Sequence, residues 1–227
     1  MAELFYSIQG EGKLAGVPSV FVRASGCNLR CSWCDTPYAS WTPEGEDWSI
    51  DRIVSAVDRH PSRYVVLTGG EPLIMPEIEP LAERLHAAGK HITVETAATV
   101  FKPLRLHLAS LSPKLSSSTP HARDGGRFAA AHERQRINLP VIQQYIDRSP
   151  EFQLKFVLTD EPDLAEIDTL LAALRGWTSA DVLLMPEGTD AATLAARAGW
   201  IGEVCKSRGF RYCPRLHVEL YGNTRGT

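Results

Sequence analysis

Apolar runs rich in β-branched residues alternate with segments of helical period along this chain, and that alternation restricts the fold more than any other feature. Residues 18–23 form a strand candidate that delivers the chain to Gly26 and Cys27. From Ser49, the residues Ile50, Ile53, Val54 and Val57 mark one face of a helix, and 64–67 follow as a buried strand. Residues 77–88 repeat the helical pattern, with Gly89 placed to end it in the left-handed conformation, and 91–95 resume as a strand. Further strands are expected at 104–111, 152–158 and 181–185, and helices at 164–174 and 190–208. A repeated strand-helix order implies a mainly parallel sheet, so the expected fold is α/β, an incomplete (β/α) barrel of about six parallel strands. Residues 116–126, rich in Ser, Pro, Gly and charge, read as a surface loop that does not separate two cores, so one domain over 1–227 is expected.

A chain of this size buries roughly 70–75% of its unfolded surface, which leaves its five cysteines unneeded for folding. Three of the five fall within eight residues, a poor disulfide framework but a good one for metal or redox chemistry. A net charge of −3, from 24 Lys and Arg against 27 Asp and Glu, supplies no broad basic surface, so nucleic acid is not the expected partner. The N-terminal Met-Ala-Glu-Leu-Phe-Tyr lacks a basic segment followed by an apolar one, and no apolar run approaches membrane-spanning length. A cytoplasmic protein without membrane association is expected.

The thiols Cys27, Cys31 and Cys34 have the spacing C-x3-C-x2-C, close enough for one loop to wrap one cluster. Soft thiolates favour iron-sulfur or zinc over hard cations. A closed iron-sulfur site wants four cysteines and a structural zinc site four Cys or His ligands, whereas this loop supplies three with no histidine near it. Completion of a zinc site by distant His217 or Cys213 stays open on these residues alone. Cys205 and Cys213 otherwise read as bystanders.

In parallel α/β folds the catalytic groups collect at the carboxyl ends of the strands, and here the chemistry-bearing stretches fall there. Gly69-Gly70-Glu71-Pro72 offers two glycines against which a ligand can sit and a carboxylate for an ammonium group, though alone it also reads as a turn starting a helix. Glu95-Thr96, Ser112-Pro113-Lys114 and Met185-Pro186-Glu187-Gly188 close three other strands, and each alone reads as ordinary loop chemistry.

Taken together, Tyr6-Ser-Ile-Gln-Gly-Glu-Gly12, Pro18 to Arg23, the cysteine loop with Asp35-Thr36, Thr68 to Pro72, Glu95-Thr96, Ser112-Pro113-Lys114, Gln153-Leu-Lys-Phe156 and the tail Leu216 to Asn223 resemble one family within the radical S-adenosylmethionine (SAM) superfamily, the 7-carboxy-7-deazaguanine synthases. That resemblance implies a 4Fe-4S cluster on Cys27, Cys31 and Cys34 whose fourth iron binds SAM. It implies SAM contacts from Trp33, Cys34, Asp35, Gly70, Glu71, Ser112, Pro113, Lys114, Met185, Pro186, Glu187 and Gly188. It also implies Mg2+ at Thr36, and substrate contacts from Ile8, Gln9, Gly10, Glu11, Arg23, Thr68, His217 and the terminal Thr227. The implied reaction rearranges 6-carboxy-5,6,7,8-tetrahydropterin into 7-carboxy-7-deazaguanine with loss of ammonia, regenerating SAM, on the route to queuosine and other deazapurines. A flavodoxin or ferredoxin as electron donor and a homodimer are further implications. The residues fit such a substrate: Glu11 can accept from the guanidine-like edge of a pterin, and the planar fork of Arg23 suits its carboxylate. Two other readings remain at this stage, an activating enzyme that installs a glycyl radical on a protein partner and a non-enzymatic iron-sulfur carrier. Gln9-Gly10-Glu11 ahead of Arg23 favours a small molecule over the first, and the Gly70, Ser112 and Glu187 loops lack a purpose under the second.

Overall fold

A computed structural model describes residues 1–227. Eight strands form one sheet in chain order: β1 (Glu3–Ile8), β2 (Pro18–Ala24), β3 (Tyr64–Gly69), β4 (His91–Thr96), β5 (Leu108–Leu111), β6 (Glu151–Leu158), β7 (Val182–Pro186) and β8 (Arg211–Tyr212). From β2 onward every neighbouring pair is parallel, and β1 runs antiparallel to β2. Eight helices accompany them: α1 (Pro37–Ser40), α2 (Ile50–Val57), α3 (Ile78–Ala87), α4 (Ala129–Gln135), α5 (Leu139–Arg148), α6 (Asp163–Ala172), α7 (Ala191–Arg208) and α8 (Leu216–Tyr221). β1 and β8 are the open edges, so the fold is an incomplete (β/α) barrel. No helix is long and apolar enough to cross a membrane.

Sequence chemistry accounts for most of these elements. Parallel strands covered on both faces need near-continuous apolar residues, and Val65, Val66 and Leu67 of β3 and Val182, Leu183 and Leu184 of β7 are all buried. Ser49 caps α2 by accepting the Arg52 N–H at 3.2 Å, and Asp190 caps α7 by accepting that of Thr193 at 2.9 Å. Ile53 and Val57 of α2 and Ile78, Leu81 and Leu85 of α3 join the sheet residues in one core. Gly89 follows α3 with φ +74°, the left-handed turn expected of it.

The six expected strands are β2 to β7, and the structure corrects their number and some limits. The sheet gains β1 and the two-residue β8 at its edges. The strand expected from 104 begins only at Leu108; just before it, the His107 ring and not backbone accepts the Ile92 N–H at 3.0 Å. Residues 116–126 are only partly a surface loop: Ser116 and the portion from His121 include exposed residues, whereas Ser118, Thr119 and Pro120 between them are buried, with Ser118 against the cysteine loop.

Candidate active site

At the carboxyl ends of the parallel strands lies a cavity of about 470 Å³, and Cys27, Cys31 and Cys34 all border it. The end of β3 fixes the cysteine loop. Gly26 accepts the Glu71 N–H at 3.0 Å and donates to the Ala39 carbonyl at 2.9 Å. A Cβ on Gly70 would stand 2.2 Å from the Gly26 oxygen, 2.4 Å from the Ala39 oxygen and 2.7 Å from Cys27 Cβ. Gly69 and Gly70 both line the cavity, and the space that a Gly70 side chain would need is filled by the loop's own backbone.

On the loop's outer side, Ser32 N–H donates to Ser118 O at 2.7 Å, the Trp41 indole to Cys31 O at 3.0 Å, and Arg123 to Ser32 O at 2.8 Å. Buried His132 accepts the Arg30 N–H on Nδ1 at 3.2 Å, which leaves Nε2 to donate to Ser118 Oγ at 2.9 Å. Burial holds His132 down to about 4.

The donor set fits a cluster. Burial pushes the Cys27 thiol up to about 11 and Cys31 to about 12, so a bound metal is what would make thiolates of them. Hydroxyls stand by Cys34: Ser40 Oγ is 3.0 Å and Thr36 Oγ1 3.8 Å from its sulfur. Cys213 is engaged elsewhere, accepting the Gly12 N–H at 3.1 Å beside Leu183 and Met185, and Cys205 lies in the main core. Three thiols facing one cavity suit a cluster with one iron left to a small ligand.

The expected SAM residues divide. Trp33, Asp35, Ser112, Lys114, Met185 and Glu187 border the cavity, and the Trp33 indole N–H is buried without a partner. Lys114 is not free, since its ammonium donates to Ser112 O at 2.8 Å and Oγ at 3.0 Å. Glu187 is held by Arg197 at 2.7 Å. Glu71, Pro113, Pro186 and Gly188 do not border the cavity. Glu71 is a structural tie instead: its buried carboxylate accepts from Thr96 Oγ1 at 2.7 Å, Ala97 N at 2.9 Å and Leu73 N at 3.2 Å. Burial raises its pKa against those three donors.

Every expected substrate residue does border the cavity: Ile8, Gln9, Gly10, Glu11, Arg23, Thr68, His217 and Thr227. Glu11 is at the centre of an ionic chain, 2.6 Å from Lys155 Nζ and 3.1 Å from Arg215 Nε. Burial works to raise its pKa, but Lys155, Arg215 and His217 outweigh it and hold the carboxyl well below the ordinary carboxylate range. Lys155, itself buried, also reaches Glu95 at 2.9 Å. Gly10 passes so near α8 that a Cβ there would meet His217 Nδ1 at 1.9 Å, and its carbonyl accepts the Leu216 N–H at 3.0 Å. Arg23 gives Nε to Glu3 at 2.6 Å and keeps both terminal nitrogens without a protein partner. The sequence reading names Lys155 and Glu95 only within motifs and misses Arg215 altogether. Glu95 and Lys155 carried a legible signal, charged residues inside otherwise apolar strands; Arg215, beside Pro214 in a short tail segment, carried none.

Residues 21–112 match the radical SAM superfamily, the class of protein that this open barrel and three-cysteine loop define. The fold is shared with the crystal structure of QueE from Escherichia coli, at a TM-score of 0.69 and 24% identity over 96% of this chain and 93% of that one. Among curated relatives, the 7-carboxy-7-deazaguanine synthase of Rhodopirellula baltica is 45% identical over 100% of this chain and 88% of its own length. That of Halobacterium salinarum is 47% identical over 99% and 91%. The chain belongs to the 7-carboxy-7-deazaguanine synthase family.

Proposed function

We propose that this cavity converts 6-carboxy-5,6,7,8-tetrahydropterin into 7-carboxy-7-deazaguanine with release of ammonia, as a radical SAM enzyme of queuosine and deazapurine biosynthesis. The observation that carries this reading is the meeting, in one cavity, of the three-cysteine loop with an ionised Glu11 and the open fork of Arg23. The bound cluster and SAM supply the radical chemistry. The chain supplies recognition. Glu11, kept as carboxylate, accepts from the N–H edge of the pterin, with Ile8, Gln9 and Gly10 presenting backbone beside it. The two free nitrogens of Arg23 take the substrate carboxylate, and Thr68 and His217 complete the recess. His217, whose pKa is lowered by burial, is a neutral hydrogen-bonding group there.

Trp33, Asp35, Gly70, Ser112, Lys114, Met185 and Glu187 form the SAM side, and Thr36 is the hydroxyl that would hold Mg2+ together with the substrate carboxylate. Glu71 belongs to the support of that side through Thr96 and Ala97. The Thr227 end of the chain borders the same recess and would face the pterin. A flavodoxin or ferredoxin that reduces the cluster before it acts, a homodimeric assembly and a cytoplasmic setting complete the reading.

Anaerobically reconstituted protein given reductant, Mg2+ and carboxytetrahydropterin is expected to form carboxydeazaguanine through many turnovers per SAM. Stoichiometric consumption of SAM without deazaguanine would sink the assignment.

A further inference from the structure

One buried guanidinium ties together two residues of the cavity wall and the turn behind it. Arg215 stands just before α8, and each of its nitrogens has a different partner: Nε donates to Glu11 Oε1 at 3.1 Å, Nη1 to Gly188 O at 2.5 Å and Nη2 to Asp35 Oδ2 at 2.5 Å. Glu11 lies in the turn after β1, Asp35 follows the last cysteine of the cluster loop, and Gly188 follows β7. We propose that Arg215 is a positioning residue that couples the two ligands, so that the carboxylated pterin and SAM each tighten the binding of the other. This rests on the reading above that Glu11 faces the pterin while Asp35, and Met185 and Glu187 ahead of Gly188, serve SAM.

The physical reason is the rigidity of the fork. A guanidinium is planar, and its donors keep fixed directions, so a shift of one partner is carried to the other two. Glu11 is already held on its other oxygen by Lys155 at 2.6 Å, so a ligand that draws on this carboxylate moves it against Arg215 and not away from the network. At the far arm Asp35 is the more open partner, with 37% of its side chain exposed against 17% for Glu11. The arm with most freedom to be ordered is thus the one beside Cys34. Coupling of this kind is reciprocal: the factor by which the pterin improves SAM binding equals the factor by which SAM improves pterin binding.

The test is calorimetric titration of the anaerobic holoenzyme, with no reductant present so that nothing turns over. SAM is titrated with and without saturating carboxytetrahydropterin, and then the order is reversed. In the unaltered protein each ligand is expected to lower the Kd of the other by the same factor, about fivefold or more. Arg215→Lys keeps the positive charge but loses the fork, and is expected to bring that factor below about twofold while cluster absorbance per chain is retained. Asp35→Asn leaves Arg215 in place, removes one charged arm and carries the same expectation, so the test stands even where Arg215→Lys melts early. The two substitutions combined are expected to lose no more coupling than either alone. A factor that survives both substitutions, with single-ligand affinities and melting temperature falling together, would mean a purely structural role and overturn the proposal. So would a factor near one in the unaltered protein with both ligands bound. Holoenzyme that binds SAM but no carboxytetrahydropterin overturns the substrate reading itself, a result distinguishable from both.

Discussion

Glu11 shows how a single charge can be kept in a place that disfavours it. Its carboxylate would be raised by burial alone, yet two cations at hydrogen-bond distance hold it ionised. A carboxyl whose folded pKa lies below its ordinary value of 4.5 contributes stability above that value and loses it only as pH falls through the lower one. Glu11 therefore stays ionised through mildly acid conditions. Glu11→Gln is expected to raise KM for the pterin by about tenfold or more, the effect of losing one charge-assisted hydrogen bond. It also leaves Lys155 with one carboxylate instead of two, and a lower melting temperature checks that part. His132 works with the opposite consequence. Its folded value of about 4 against an ordinary 6.5 means that the unfolded chain binds the proton first, so stability falls as pH drops from about 6.5 towards 4. His132→Gln is expected to flatten that limb of a stability-against-pH curve. Gly70→Ala tests crowding: with backbone oxygens at 2.2 and 2.4 Å from the new methyl, the loop must shift, and iron per chain after reconstitution is expected to fall severalfold.

At the scale of elements, the strands were the legible part. β2 to β7 announce themselves because parallel strands buried on both faces cannot be written without long apolar runs, and the helices α2, α3, α6 and α7 because their buried faces repeat at helical spacing. β8 is too short to carry a pattern. α5 carried one as well, with Asn138 capping at Val141 and Ile142, Tyr145 and Ile146 buried on one face, and it was overlooked beside the loop-like stretch that precedes it. The 116–136 stretch was unreadable for a different reason. Its role is to meet another loop through backbone carbonyls and single side chains such as Ser118 and Arg123, and such contacts leave no period in a sequence. Because that stretch covers the outer face of the cysteine loop, Arg123→Ala is expected to hasten bleaching of the reconstituted cluster in air, with its assembly under anaerobic conditions unchanged.

For the whole molecule, the site was legible to the extent that it is local. The cysteines, Glu11, Arg23 and Thr68 stand in recognisable stretches, and the cavity does gather them. Glu71 was misplaced because a carboxylate after a strand looks the same whether it faces a ligand or ties two strand ends together. Arg215 was missed because its meaning lies wholly in partners far along the chain, 204 residues away at Glu11 and 180 at Asp35.

That separation also sets an order of events during synthesis. The cysteine loop and the strands on which it rests are made early, whereas the arginine that locks Glu11 to Asp35 and the helix that closes on Gly10 follow every one of the parallel strands up to β8. The side of the cavity formed by Arg215 and α8 is completed only by the last residues made.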